Sequence, residues 1–109
     1  MEITGKWTRD EDGFMEFETS ELQRYYEAVT DKYHQVYNRY LDEFDDDDAF
    51  YKAREDGYEM LTDYKNLNGN EEFATTYSTP AYVVDIWYEF DTLTQKRIYD
   101  RGYIRICSK

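Results

Sequence analysis

Two β-rich runs near the C-terminus, Tyr82 to Phe90 and Lys96 to Cys107, constrain the fold more than any other part of this chain. Valine, isoleucine and aromatic residues dominate both, and only Asp91-Thr92-Leu93-Thr94-Gln95 separates them, so they read as one long antiparallel hairpin. With Phe90 opposite Lys96, Glu89 faces Arg97, Trp87 faces Tyr99 and Asp85 faces Arg101, which sets opposite charges across from each other on one face. The other face carries Tyr82, Val84, Ile86, Tyr88, Ile98 and Ile104 and is the one expected to meet helices. A shorter hairpin is expected at the N-terminus, where Asp10-Glu11-Asp12-Gly13 lies between residues 2 to 8 and 14 to 18.

Between the hairpins the period changes from two to three or four. Ser20 followed by Gln23 reads as a capping box, and Leu22, Tyr25, Val29, Tyr33, Val36, Tyr40 and Phe44 form an amphipathic stripe, so the first helix is expected over Glu21 to Phe44. Four adjacent carboxylates, Asp45 to Asp48, then break it, with Asp47 or Asp48 able to cap a second helix. That helix is expected over Ala49 to Leu67, burying Phe50, Ala53, Gly57, Met60, Leu61 and Tyr64 and stopping at Asn68-Gly69. Residues 70 to 79 read as a connector with a short edge strand around Phe73 to Tyr77, ended by Pro80. The order ββααββ predicts an α+β fold: an antiparallel sheet of two hairpins with both helices packed on one face.

The 109 residues form one domain, 1–109, with room for a modest core. Leu, Ile, Val and Phe together supply only 20 positions, a level that in a highly charged chain usually means disorder. Thirteen Tyr and two Trp reverse that reading, because each ring buries roughly 150–250 Å² and keeps a polar tip for its edge. Cys107 is the only cysteine, which excludes a disulfide framework. No stretch approaches the ~18 apolar residues of a membrane span, and the chain opens without a basic or apolar leader, so it is expected to be cytoplasmic.

The charge is segregated. Residues 1 to 72 hold 21 of the 25 carboxylates and carry a net −13, whereas residues 73 to 109 carry +1. A negative surface of this kind repels nucleic acid and steers basic protein surfaces toward itself. On a helix through residue 67, Glu55, Glu59 and Asp63 follow at i, i+4 and i+8, a ridge of carboxylates that could take the place of a row of phosphates. Solvated acidic faces are common for solubility alone, but the nearby Tyr37, Tyr51 and Tyr58 add the rigid, polar-tipped rings that interfaces favour. The expected partner-binding set is Asp45, Asp46, Asp47, Asp48, Glu55, Asp56, Glu59 and Asp63, with Tyr51 and Tyr58 as anchors.

Catalytic, metal and cofactor chemistry finds little support. An EF-hand loop begun in the Asp tract would need Gly and Glu where Phe50 and Asp56 stand. His34 has only Asp31 and Glu27 beside it at helical spacing, and neither Ser20, Ser78 nor Cys107 sits in a nucleophile motif. No cofactor, no metal and no enzymatic activity is expected. One basic feature stands out: Arg97, Tyr99, Arg101, Tyr103 and Arg105 alternate onto one side of the last strand, the composition of sheets that stack single-stranded RNA. Glu89 and Asp85 are placed to neutralise it.

In size, charge and composition the chain resembles the DNA-mimic inhibitors that phages direct at bacterial defence, including anti-restriction and anti-CRISPR proteins. The resemblance implies an inhibitor that covers the basic DNA- or RNA-binding groove of a nuclease or defence effector in the host cytoplasm. An immunity protein against a nuclease toxin is the alternative with the same chemistry, and a direct single-stranded nucleic-acid binder using the Arg/Tyr face is the other. No membrane contact is expected, and tyrosine-rich edges allow a homodimer.

Overall fold

A computed structural model describes residues 1–67 and 70–109, and the side chains of all of these except 63–67 and 70–73. It is an α+β fold in the order ββααββββ, with a six-stranded antiparallel sheet and two helices. The strands are β1 (Glu2–Arg9), β2 (Met15–Phe17), β3 (Glu59–Leu67), β4 (Asn70–Ser78), β5 (Tyr82–Asp91) and β6 (Lys96–Ser108). They lie side by side as β2-β1-β6-β5-β4-β3. The helices are α1 (Ser20–Leu41) and α2 (Asp46–Glu55).

The N-terminal hairpin forms as the Asp-Gly cue requires. Asp10 accepts the backbone N–H groups of Asp12 and Phe14, each at 2.9 Å, and Gly13 supplies the positive φ of +86°. α1 begins one residue earlier than expected. Thr19, in extended conformation, is the N-cap and accepts from Leu22 N–H at 3.2 Å, so Ser20 is already helical and the Ser20–Gln23 box does not form; Gln23 donates to Glu27 instead. The helix stops at Leu41 rather than Phe44.

The larger departure is the second helix. It spans Asp46–Glu55, not residues 49 to 67, and Asp45 is its cap, accepting from Asp48 N–H at 2.9 Å. Gly57 is not inside a helix but ends one: at φ +92° it lets Gly57 N–H reach Arg54 C=O at 3.0 Å and Tyr58 N–H reach Ala53 C=O at 2.9 Å, a Schellman closure. Beyond it the chain extends. Met60 and Tyr64, four residues apart, share a face in a helix and in a strand alike, and the glycine decides between them by breaking the helix first. The residues read as a connector become β4, pairing with β3 from Glu59↔Ser78 to Leu67↔Asn70. Asn68-Gly69, taken above as a helix stop, lies outside the described residues.

The C-terminal hairpin forms in a different register. Phe90 faces Arg97 and Glu89 faces Ile98, but Tyr88 faces Gly102, so Tyr99, Asp100 and Arg101 bulge out of β6. An odd number of extra residues reverses the alternation. Past the bulge Trp87 therefore faces Tyr103 and Asp85 faces Arg105. Val84, Ile86 and Ile104 still reach the helix side, joined by Ile106, whereas Ile98 opposes Glu89 and stays outside the core.

The core lies between the sheet and α1. Trp7, Leu22, Val29, Val84, Ile86, Ile104 and Ile106 are buried together, with Tyr25, Tyr26, Tyr77, Tyr82 and Tyr88 packed around them. Each buried Leu, Ile or Val contributes about 1.5–3 kcal/mol. Tyrosines extend the layer by ring contact: Tyr33 meets Tyr77 edge-on at 5.7 Å and stacks with Tyr37 at 5.9 Å. His34 packs against Tyr33 and Tyr77, so its surroundings are aromatic. No helix among the described residues is long and apolar enough to cross a membrane.

Candidate partner-binding surface

The shortened second helix redistributes the predicted acidic set. Glu55 is the last residue of α2 and Glu59 lies in β3, where it pairs with Arg54 at 2.7 Å. Asp63 is in β3 opposite Ala74, and its side chain lies outside the described residues. The ridge Glu55, Glu59 and Asp63 therefore does not exist, because its helical spacing ends at Gly57. Asp56 accepts a short hydrogen bond from the Tyr40 hydroxyl, which holds the end of α2 against α1 and pushes the Tyr40 phenol upward. Tyr58 is half-buried and lines a groove of about 240 Å³ with Val29, Pro80 and Tyr82.

What remains is more compact. α1 ends and α2 begins within a few residues, so Asp42, Glu43, Asp45, Asp46, Asp47 and Asp48 are all exposed on one turn and its first helical residues. Asp45 is engaged as the cap, and Asp46, Asp47 and Asp48 complement the positive end of the α2 dipole. The helix N-terminus thereby offsets part of the repulsion among them. Asp46 and Asp47 lie close enough to Tyr37 that, after burial, they are what raises its phenol. Tyr51, 57 % exposed and set edge-on against Phe50, follows Asp47 by four residues and Asp48 by three and precedes Glu55 by four, so all share one helix face.

The nearby cations face elsewhere. Lys52 sits over the Phe44 ring, Arg39 over the Tyr40 ring, and Arg54 on Glu59. Among the described residues none of Asp42, Glu43, Asp46, Asp47, Asp48 or Glu55 has an ion-pair partner. Asp42 and Glu43 escaped the sequence reading because the helical stripe ran on to Phe44; their adjacency to the Asp tract was the available signal.

The basic face of the last strand is also rearranged. The bulge places Arg97 over the Tyr88 and Tyr99 rings, while Arg101 pairs with Glu89 at 2.5 Å and Arg105 with Asp85 at 3.0 Å. The pairing of this strand with Glu89 and Asp85 is thus present, shifted by four residues from the expected partners Arg97 and Arg101. Asp85 is 4 % exposed and also accepts from Thr76 at 2.6 Å, and Arg105 lies on the Trp87 ring. Among the described residues no group of three or more His, Cys, Asp or Glu side chains is arranged around a common point as metal ligands would be.

No family model, no curated protein and no solved structure matches this chain.

Proposed function

We propose that this chain is a binding protein rather than an enzyme, and that the acidic turn between α1 and α2 docks in the basic nucleic-acid-binding groove of a nuclease or defence effector. In that groove the carboxylates of Asp42, Glu43, Asp46, Asp47, Asp48 and Glu55 occupy positions that phosphates would take, and Tyr51 packs among the partner's basic side chains. One observation carries the reading: the exposed carboxylates of Asp47, Asp48 and Glu55, without cationic partners among the described residues, share one helix face with the exposed Tyr51, beside the rest of the acidic turn. A surface evolved only for solubility has no need of the exposed ring. Such an inhibitor works in the cytoplasm, where its target meets nucleic acid, and an immunity protein against a nuclease toxin would use the same contacts.

Asp46→Lys/Asp47→Lys/Asp48→Lys, compared with the native chain, tests the reading against a panel of purified basic nucleases and effectors. The native chain should bind at least one with an affinity that falls steeply between about 0.05 and 0.2 M salt, and the variant should lose at least a hundredfold. Equal binding by the two chains, or no binding by the native one, overturns it.

A further inference from the structure

The face of the sheet turned away from the helices holds a cavity of about 260 Å³ beside the β6 bulge. Its lining is Lys6 and Thr8 from β1, Glu89 from β5, and Arg101, Gly102 and Tyr103 from β6, with Trp7 at its base. Gly102 forms part of its wall. A Cβ there would overlap the Trp87 carbonyl oxygen and come within 2.8 Å of the Trp7 ring, so the backbone is bare where the bulge rejoins the ladder.

The polar groups around it are mostly donors. Among the described residues Lys6 Nζ has no partner, and neither has the Thr8 hydroxyl. Arg101 forms an ion pair with Glu89 through Nε at 2.5 Å, and its two terminal nitrogens make no hydrogen bond to any described residue. Among the described residues Glu89 is the only carboxylate in the lining, and it is committed to that arginine. Tyr103 lies directly across from Lys6 in the ladder and supplies a ring to the wall. A concavity rich in unspent donors calls for an acceptor-rich occupant, and the lining itself holds two cations against one anion.

From this lining we infer that the bulge cavity is a binding site for a phosphate monoester whose flat ring lies against Tyr103, with a nucleoside monophosphate as its simplest representative. Lys6 and the terminal nitrogens of Arg101 hold the phosphate, Glu89 keeps Arg101 in position, and the ring stacks on Tyr103. The net charge of −12 sets the size of the ligand. A lone phosphate monoester meets mainly the local field of the cavity, whereas a long oligonucleotide also meets the repulsion of the whole molecule. The site is independent of the acidic turn and of the function proposed for it.

Titration of the full chain with adenosine monophosphate, inorganic phosphate, adenosine and a single-stranded oligonucleotide, followed by the Trp7 indole resonance, tests the assignment. Adenosine monophosphate should shift that resonance saturably, phosphate and the oligonucleotide more weakly, and adenosine least. Lys6→Gln and Arg101→Gln should each weaken the monophosphate about tenfold, the loss of one charged hydrogen bond. Tyr103→Leu should lower the affinity for the monophosphate and leave that for inorganic phosphate unchanged. Asp47→Asn should alter nothing. Absence of a saturable shift with the native chain overturns the assignment, as does equal binding of adenosine and its monophosphate, or indifference to Lys6→Gln, whose exposed position keeps that variant folded.

Discussion

Gly102→Ala is expected to be among the most damaging single-methyl changes in this protein. Gly102 pairs with Trp7 on one side and with Tyr88 on the other, at the point where β6 leaves its bulge. An added Cβ would overlap the Trp87 carbonyl and approach Trp7 ring carbons at 2.8 and 2.9 Å. Neither can yield cheaply, since one is backbone and the other is an indole only 1 % exposed. Overpacking of this kind costs about 1–3 kcal/mol. The same indole N–H donates to the carbonyls of Trp87 at 3.2 Å and Tyr103 at 3.1 Å. Displacing the ring weakens both, at about 1 kcal/mol for each bond. The expected loss is about 3 kcal/mol, a fall in melting temperature of about 12–20 °C for a domain of this size. Urea unfolding followed by Trp fluorescence and circular dichroism reads it. Gly13→Ala is the control: its φ is +86° but nothing lies within 4 Å of a Cβ there, so only the backbone penalty of about 1 kcal/mol remains. A Gly102→Ala protein melting within about 3 °C of the native one, or losing less than Gly13→Ala, would refute the close-packed bulge.

Three further outcomes follow from the packing. Asp45→Ala removes the α2 cap and should lower stability by about 1 kcal/mol in urea unfolding, whereas Asp46→Ala, outside the cap bond, should cost less. Asp85→Ala strands Arg105 on the Trp87 ring and removes an acceptor of the Thr76 hydroxyl, so about 3 kcal/mol should be lost, and Asp85→Asn should cost less by keeping that acceptor. Burial raises the phenols of Tyr26, Tyr33 and Tyr77 above the ordinary 10.0, so the folded chain holds these protons more tightly than the unfolded one. Their contribution is complete below about pH 10 and is lost as pH climbs through the folded values. Alkaline titration should show phenolate absorbance from these tyrosines rising together with loss of near-ultraviolet dichroism; ionisation at an ordinary pH with the fold intact would contradict their burial.

The hairpin cues and the helical stripe were legible in the sequence because each rests on a local period that only one element satisfies. Asp10 to Gly13 could only be a turn, and Val84, Ile86, Ile104, Leu22, Val29, Tyr33 and Val36 reach the core as their spacing requires. Residues 57 to 79 were not legible for a physical reason. Met60 and Tyr64, four residues apart, fit a helix and a strand alike, and the choice was made by the Gly57 closure and by β4 as a ladder partner. The bulge at Tyr99 to Arg101 had no local signature beyond Gly102, whose requirement comes from Trp7, distant in sequence. Of the acidic set, Asp45 to Asp48 and Glu55 are found exposed around Tyr51, while Asp56, Glu59 and Tyr58 are tied to Tyr40, Arg54 and the Pro80 groove. Runs of identical charge survive an error in helix length, and spaced ridges do not.

The function proposed for the acidic turn is tested most directly by asking whether a partner can hold this chain and its nucleic acid at once. With a captured nuclease or effector loaded with fluorescent duplex, added native chain should displace the duplex completely, and the duplex in excess should displace the chain in return. A stable complex containing both, with the label still bound when the chain is saturating, would contradict the account.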